Sequence, residues 1–364
     1  MKKISTKQKR INIRLTKKRF LKKIARKRKE YMGLSNIIYN ATTPHHKRIY
    51  TDIIVPEDMC LEKHYKKTAL LLRELRSTAM TTMHPVRLRL EDCRTITPPA
   101  MLLLLAEVHR ARLLRGDKSV TGTYPKDERL LKRMCQTGFF DLLGIRSPIS
   151  SNKTFPMEYI KFKTGNKLKA KSARELRESL LGDRITLETK ARNQLQRGVT
   201  EAMLNALEHA YPYNDARSLP VKDQWWLTGH YHRPTDKLSV MFCDLGVGIP
   251  TTLPRNHSIE IIREVLAILP GIKPKDGQMI LAGMKVGRTS TKKPHRGKGL
   301  NDLRQFVDHA GDGELKIYSR AGEYRYRSLN KEDAKTNSVM INGTLIIWTV
   351  PLKNVTKALE KQHE

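Results

Sequence analysis

Cysteines and long apolar segments are scarce in this sequence of 364 residues. The four cysteines stand singly and none belongs to a C-x-x-C pair, so the chain has neither a zinc-knuckle motif nor the spacing of a disulfide framework. The longest apolar run, Ala100 to Ala106, is far shorter than the roughly 18 residues that a membrane helix needs. We therefore expect a cytoplasmic protein with reduced thiols and without a membrane span.

Acidic residues are scarce relative to basic ones. The chain carries 70 Lys and Arg against 36 Asp and Glu, which gives a formal net charge of +34. Close to half of this excess lies in the first fifty positions, which hold 17 basic residues and one acid, Glu30. A field of that sign attracts polyanions.

The basic extension, residues 1–50, is expected to be partly disordered or helical. Its first thirty residues hold 15 Lys and Arg, and Phe20, Leu21 and Ile24 recur at roughly helical spacing. We expect residues 1–30 to bind nucleic acid or another polyanion, while a solvated tail that aids solubility is the alternative. Because the sequence has no base-reading motif, contact with nucleic acid is expected to be directed at the phosphate backbone.

Residues 51–145 have the pattern of a small α/β domain. The predicted elements are a strand at 86–90, a helix at 99–114, a strand at 119–121 and a helix at 127–135. This order resembles STAS domains, the phospho-acceptor modules of anti-anti-sigma factors. Such domains often carry Asp-Ser-Ser-Gly where the strand turns into the helix, and this chain has Thr97-Pro98-Pro99-Ala100 there. The acceptor serine is missing, so a small α/β adaptor without phosphorylation is the alternative.

Four short motifs in the second half of the chain carry the chemistry. The first, Glu201-Ala-Met-Leu-Asn205, follows a predicted linker and helix at 146–184 and lies on a predicted helix. Glu201 and Asn205 are four residues apart and therefore share one helix face. An amide oxygen there can serve a hydrated Mg²⁺, and a carboxylate can take a proton from an attacking water.

The second motif begins where a strand ends. Asp244 follows a predicted strand at 238–243 and opens the run Asp-Leu-Gly246-Val-Gly248-Ile249-Pro. An aspartate in that position can accept a hydrogen bond from an adenine amino group. The two glycines allow close approach of the backbone and a sharp turn. An ordinary strand-to-loop turn is the alternative for this motif in isolation.

The remaining two motifs also combine glycine with the start of an element. The run Gly297-Lys298-Gly299-Leu300 precedes a predicted helix at 301–310, whose first N–H groups can hold a phosphate. The pair Gly343-Thr344 opens a predicted apolar strand at 345–350. The threonine hydroxyl there can support Asp244 directly or through water.

The order and spacing of the four motifs resemble those of the GHKL family of ATP-binding proteins, which includes gyrase, histidine kinases and mismatch-repair ATPases. The resemblance covers residues 185–352 and implies a Bergerat-type α/β sandwich, a mixed sheet covered by helices. It implies that Asn205 binds Mg²⁺ and that Asp244 holds adenine. The other residues it assigns to the nucleotide are Gly246, Gly248, Ile249, Gly297, Lys298, Gly299, Leu300 and Thr344.

The stretch between Pro250 and His295 looks like the lid that covers the nucleotide in this family. Its candidates for phosphate contact are Lys285, Arg288, Lys292 and Lys293, and Arg288 is included in the predicted site. The chain has no G-x-x-x-x-G-K-[ST] match, which excludes a P-loop as the source of ATP chemistry.

Glu201 indicates which branch of the family the chain resembles. Histidine kinases do not need a base at this position, and the upstream helix at 171–178 contains no histidine to accept a phosphoryl group. The run from Thr200 to Tyr211 is similar to the corresponding helix of anti-sigma serine kinases. His209 lies beside the predicted pocket, where a structural hydrogen bond is the preferred interpretation of its role.

Two functional classes follow from these motifs. The first is a slow Mg-ATPase that acts as a nucleotide-driven switch on a protein partner or in a homodimer, and that associates with nucleic acid or a nucleoprotein. By analogy, bacterial defence or DNA transactions would suit such a protein. The second is a serine/threonine kinase of the anti-sigma type, with Glu201 activating the acceptor hydroxyl. A protein that binds ATP without turnover is a third possibility, and the presence of Glu201 argues against it.

Overall fold

The computed structural model describes residues 49–148, 157–159, 161–167, 187–212, 223–289, 299–328 and 331–356. Helices and strands are mixed throughout, and helices cover the sheets. This confirms the α/β class that the sequence predicted.

The N-terminal unit, residues 51–145, alternates short strands with helices. Its elements are β1 (Thr51–Ile54), β2 (Asp58–Met59), α1 (Tyr65–Thr81), β3 (Val86–Arg89), β4 (Thr95–Ile96), α2 (Pro98–Arg115), β5 (Val120–Gly122), α3 (Glu128–Thr137) and α4 (Phe139–Leu143). Strands β1, β3 and β5 form a parallel sheet in that order, and β2 pairs with β4, also in parallel.

The second part of the chain builds a larger sheet and the helices on it. Its first elements are β6 (Met157–Tyr159), β7 (Lys163–Gly165), α5 (Thr189–Asn205), a π-helical turn (Ala206–Ala210), β8 (Trp225–His232) and β9 (Lys237–Asp244). The helices α6 (Ile249–Asn256), α7 (Ile259–Leu266), α8 (Asp276–Thr289) and α9 (Gly299–Ala310) follow. The last strands are β10 (Glu314–Ser319), β11 (Gly322–Arg327), β12 (Lys331–Thr336) and β13 (Thr344–Pro351).

The large sheet has the strand order β12-β11-β10-β13-β9-β8-β6, and β7 pairs with the other half of β8. Every pairing in it is antiparallel. In the centre, β13 lies between β10 and β9, so both of its edges are hydrogen-bonded to neighbouring strands. Thr344 at the start of β13 pairs with Asp244 at the end of β9.

Both faces of the central strands of the large sheet are buried, and alternation along each of these strands divides its side chains between two cores. On β9, Leu238, Val240 and Phe242 face a core shared with α5, α8 and α9, which we call the helical face. Met241 and Cys243 face the core of the N-terminal unit, which we call the rear face. The N-terminal unit therefore packs as a second layer on the sheet.

Helix α2 joins the two layers. All residues from 100 to 108 are buried, because the helix contacts α1 on one side and β8, β9 and β13 on the other. A helix that is apolar all round is stable only inside a protein. Its single buried acid in this stretch, Glu107, forms an ion pair with Arg110 and accepts a hydrogen bond from Asn342 Nδ2 at 3.1 Å.

Several sequence expectations need correction or fall outside the described residues. The linker predicted at 146–184 contributes two edge strands to the large sheet, β6 and β7, because their backbone groups pair with β8. The stretch after Pro250, which the sequence analysis compared with a lid, is largely helical as far as Thr289. Residues 1–48 of the basic extension lie outside the described residues, as do residues 357–364 of the C-terminal tail that the sequence predicted at 353–364. Among those that are described, no helix is long and apolar enough to cross a membrane.

Glycine at 343 is required twice over. Its φ is +71°, and a Cβ there would lie 2.0 Å from the carbonyl oxygen of Asp244. Gly311 has a similar φ of +73°, but a Cβ at that position would meet no atom within 4 Å. Gly343 thus holds β13 against the end of β9 in a way that no other residue type permits.

We predict that Gly343→Ala lowers the free energy of unfolding by about 3 kcal/mol or more, because a steric clash adds to the backbone strain. Gly311→Ala, the matched control, should cost only about 1 kcal/mol from the left-handed backbone. Chemical denaturation of both variants measures the difference. Equal losses would show that the approach of Gly343 to Asp244 is not a constraint.

Candidate functional site

A cavity of about 250 Å³ lies on the helical face, at the end of β9. Its described walls come from the end of α5 and the turn after it, the end of β9, helices α6, α8 and α9, and the start of β13. The lining residues include Glu201, Asn205, His209, Phe242, Asp244, Gly248, Ile249, Thr252, Leu253, Gly283, Leu300, Thr344 and Ile346.

Glu201 and Asn205 lie on the cavity side of the last turn of α5. The Asn205 amide donates a hydrogen bond from Nδ2 to Glu201 Oε1 over 3.0 Å. Burial raises the pKa of the Glu201 carboxyl, and the negative charges of Asp302 and Glu208 add to the rise, whereas the Asn205 hydrogen bond opposes it. The arrangement therefore presents a half-buried carboxylate with increased basicity, held in place by a neighbouring amide.

A π-helical turn, residues 206–210, closes this helix. The Ala210 carbonyl at its end accepts a hydrogen bond from Val247 N–H at 2.8 Å. Gly246 passes so close that a Cβ on it would lie 2.1 Å from the Ala210 oxygen. The first glycine of the Asp244 motif, Gly246, therefore allows close packing against the end of the helix. The sequence had predicted a different role for it, the close approach of the backbone to a bound base.

Tyr211 fixes the same junction and was missed by the sequence analysis. Its hydroxyl donates to the carbonyl of Gln224 at 2.5 Å and accepts from Leu245 N–H at 3.0 Å. The side chain is buried at the back of the turn that carries Asp244. Its position directly after the Glu201 helix is the only sequence signal that could have pointed to it.

Asp244 lies at the floor of the cavity and is 5% exposed. Gly246 N–H donates to Asp244 Oδ1 at 2.8 Å, and Thr344 also hydrogen-bonds to the carboxylate. Burial nevertheless raises the pKa of Asp244 to about 7, because these hydrogen bonds only partly replace the lost water. The support by Thr344 that the sequence predicted is present in the structure as direct hydrogen bonding.

Ser319, at the end of β10, is a second residue that the sequence analysis missed. Its hydroxyl accepts from Ile249 N–H at 2.9 Å, donates to the Gly343 carbonyl at 3.1 Å and lies 3.0 Å from Thr344 Oγ1. It thereby connects the start of α6 to the start of β13. No local pattern marks this serine, because its role depends on the pairing of β10 with β13.

Gly248 and Ile249 form the start of α6. Gly248 has a φ of +81°, and a Cβ on it would lie 2.8 Å from Ser319 Oγ. Glycine is therefore needed for both the turn and the contact. Ile249 lines the cavity beside Leu300 of α9, and Gly283 of α8 leaves room between them.

The other predicted site residues are placed only in part. Gly299 and Leu300 form the first turn of α9, as expected for the end of a glycine motif, whereas Gly297 and Lys298 lie outside the described residues. Arg288 belongs to α8, but its side chain is not among the described groups. Lys285 pairs with Glu332 at 3.6 Å and does not line the cavity. His209, for which a structural role was preferred, does line it.

Neither a protein-family model nor any curated protein matches this chain. The cavity combines a buried hydrogen-bond acceptor at its floor, apolar side walls that suit a flat ring, and a half-buried carboxylate and amide at one side.

Asp244 should lower the stability of the protein at neutral pH. Its folded pKa of about 7 exceeds the ordinary aspartate value of 3.8, so the folded state binds the proton more tightly than the unfolded state. The sign of the linkage then makes stability fall as pH rises from about 4 to about 7. A buried carboxylate that lowers the stability of the folded state in this way is typical of a functional site.

We predict that Asp244→Asn raises the free energy of unfolding by about 3 kcal/mol at pH 8 and by about 1 kcal/mol at pH 5, because the variant has no charge to bury. Denaturation at the two pH values measures this. Asp92→Asn, which changes an exposed partner of Lys126, serves as the control and should stay within about 0.5 kcal/mol of the unmodified protein. A stability loss for Asp244→Asn that does not vary with pH would contradict the argument.

Proposed function

We propose that this chain is a GHKL-type Mg-ATPase that acts as a nucleotide-driven regulatory switch. The observation that carries the proposal is the convergence of Glu201, Asn205, Asp244 and Thr344 on one cavity, although they come from three distant parts of the sequence. The motif order that resembles the GHKL family supplies the identity of the ligand. The geometry supports it by bringing those motifs together.

Asp244 is proposed to recognise adenine. A carboxylate oxygen at the floor of a narrow cavity can accept a hydrogen bond from an exocyclic amino group such as that of adenine. The hydrogen bonds from Gly246 and Thr344 orient the carboxylate. The apolar side chains of Ile249, Leu253 and Ile346 suit the faces of the ring.

Mg²⁺ is proposed to bind through Asn205 and the nucleotide. The Nδ2 group of Asn205 is engaged by Glu201, which leaves the amide oxygen as the atom suited to a hard cation. Among the described residues no group of three His, Cys, Asp or Glu could hold a metal by itself. This fits Mg²⁺, which uses few protein ligands and relies on phosphates and water. The ion would neutralise phosphate charge.

Glu201 is proposed as the general base. Its pKa is raised by burial, which brings the carboxylate closer to the basicity needed to take a proton from water. Asn205 holds the carboxylate oxygen in a fixed position. The proton would pass to Glu201 as the water attacks the terminal phosphate and the bond from that phosphorus to the bridging oxygen breaks, which would release ADP and inorganic phosphate.

The switch is proposed to act through the helices that wall the cavity. Ile249 of α6, Gly283 of α8 and Leu300 of α9 approach one another across it. A nucleotide in contact with all three would change the surface that these helices offer to a protein partner or a second copy of the chain. The net charge of residues 1–30 supports a further association with nucleic acid or a nucleoprotein, as in bacterial defence or DNA transactions.

We expect Glu201→Gln to reduce phosphate release from ATP by about 100-fold or more while ATP still binds, because the base is lost and the shape is kept. Glu208→Gln, which changes an exposed glutamate in the π-helical turn after α5, is the matched control and should retain turnover. Labelled ATP distinguishes the products. Free phosphate supports the proposal, and stable label on a serine or threonine of a co-purified protein would replace it with the kinase alternative.

Removal of residues 1–30 should weaken binding to DNA or RNA and flatten its dependence on salt, because 15 basic residues are lost. Filter binding or fluorescence anisotropy at several salt concentrations measures both quantities. ATP binding by the truncated chain provides the control for correct folding. Unchanged affinity and an unchanged salt slope would refute the role of the extension.

A further inference from the structure

The N-terminal unit contacts the loops behind the candidate nucleotide cavity at two points. Each point lies close in the chain to a residue that supports Asp244, because Asn342 comes two residues before Thr344 and Arg320 directly follows Ser319. At each point one side-chain hydrogen bond joins the N-terminal unit to the loop. Neither Asn342 nor Arg320 is among the residues that line the cavity.

Glu107 of α2 provides the first of these contacts. Its side chain is buried, one carboxylate oxygen pairs with Arg110, and the other accepts a hydrogen bond from Asn342 Nδ2 at 3.1 Å. Because residues 100–108 of α2 are all buried, this part of the helix cannot shift without disturbing the packing of both layers. Asn342 is therefore bonded to a rigid element of the N-terminal unit.

The position of Asn342 affects the two residues that follow it. A Cβ on Gly343 would lie 2.0 Å from the carbonyl oxygen of Asp244, so the backbone is closely packed there. Thr344 hydrogen-bonds to the Asp244 carboxylate through both its backbone N–H and its hydroxyl. A shift of Asn342 must therefore change the hydrogen bonds that the Asp244 carboxylate receives.

Tyr65 of α1 provides the second contact. Its hydroxyl donates to the Arg320 carbonyl at 3.2 Å, and the Ile341 N–H donates to the same oxygen at 3.0 Å. The Tyr65 ring stacks on Tyr318, with 6.1 Å between the ring centroids. Arg320 has a φ of +55°, a backbone conformation that residues other than glycine keep only where the surrounding structure fixes it. The N-terminal unit supplies part of that fixation.

The Arg320 turn also holds the start of α8. Ala321 N–H donates to Asp276 Oδ2 at 3.0 Å, and Arg320 Nε lies 3.4 Å from the same oxygen. Asp276 begins α8, and Gly283 of that helix lines the cavity. The contact through Glu107 thus acts on the floor of the cavity, whereas the contact through Tyr65 acts on one of its walls.

We propose that Glu107 and Tyr65 are positioning residues for the candidate nucleotide site, through which the N-terminal unit sets the affinity of that site for ATP. Glu107 acts through Asn342, and Tyr65 acts through Arg320. By linkage, a partner that shifts α1 or α2 would change the affinity for ATP, and ATP would change the affinity for that partner by the same factor. The inference rests on the proposed function, because it takes ATP as the ligand.

The first test is the titration of the Asp244 carboxyl in the full chain, followed by carbon-13 NMR. Asn342→Ala removes the hydrogen bond to Glu107 and keeps the buried pair with Arg110. The hydrogen bonds from Thr344 lower the pKa of Asp244, so loosening them raises it. We expect Asn342→Ala to raise this pKa above its value of about 7 by about half a unit or more.

The ionisable groups around Asp244 do not obscure this titration. Burial raises the pKa of Tyr211 and of Cys243 well above the ordinary values, so both stay neutral while Asp244 titrates. Glu201, His209 and His257 face the same cavity from other elements. NMR resolves the Asp244 carboxyl from all of these groups.

The second test is the affinity for ATP, measured by calorimetry. We expect Asn342→Ala to weaken ATP binding about fivefold and Tyr65→Phe to weaken it about threefold, since each removes one hydrogen bond. The KM for ATP should rise by similar factors at nearly constant kcat, because Glu201 is unchanged. Asn354→Ala removes an asparagine hydrogen bond to the Ala310 carbonyl beyond the far end of β13, and this matched control should change neither the Asp244 pKa nor the affinity.

The outcomes separate this inference from the proposed function. An unchanged Asp244 pKa in Asn342→Ala, or an unchanged ATP affinity in both Asn342→Ala and Tyr65→Phe, would overturn the inference. Equal changes in Asn354→Ala would overturn it as well, because the effect would then be a general loss of stability. If the unmodified chain bound no ATP, the proposed function would fail, and the Asp244 titration alone would decide whether the N-terminal unit positions the site.

Discussion

The burial of both faces of the large antiparallel sheet is the constraint on which the rest of the structure depends. Side chains alternate along each central strand, so every central strand must supply apolar groups to the core on each of its two faces. The helical face takes Leu238, Val240 and Phe242, and the rear face takes Met241 and Cys243. The N-terminal unit is therefore needed to cover the rear face, and its buried helix α2 has no other stable environment.

The same alternation separates two sets of polar groups. Ser319 hydrogen-bonds to Ile249 and Thr344, which line the candidate nucleotide cavity, and its neighbour Tyr318 lines a second cavity on the rear face. Asp244 is held at the end of β9 by Thr344 across the sheet, so the carboxylate is oriented by strand pairing as well as by its own loop. Burial of this charge weakens the fold, and the close contacts of Gly246 and Gly343 show how tightly the surrounding backbone must pack to hold it.

Much of the local structure could be predicted from the sequence. The strands at 86–90 and 238–243 and the helix at 99–114 were placed to within a residue or two, because their apolar patterns are strong. The edge strands β6 and β7 could not be predicted, since three residues carry too little pattern and form strands only by pairing with β8. The helices α6, α7 and α8 lie in the stretch for which the sequence predicted only a lid.

By itself the sequence determined the spacing of Glu201 and Asn205 on one helix face, the glycine positions, the α/β class and the concentration of positive charge near the start of the chain. Those features depend on residue type and short-range periodicity. Only the tertiary structure decided which side chains share a cavity, that Tyr211 and Ser319 support the Asp244 turn, and that the buried Tyr318 hydroxyl has no hydrogen-bond partner among the described residues. These depend on strand register and on the packing of two layers, which bring together residues more than a hundred positions apart.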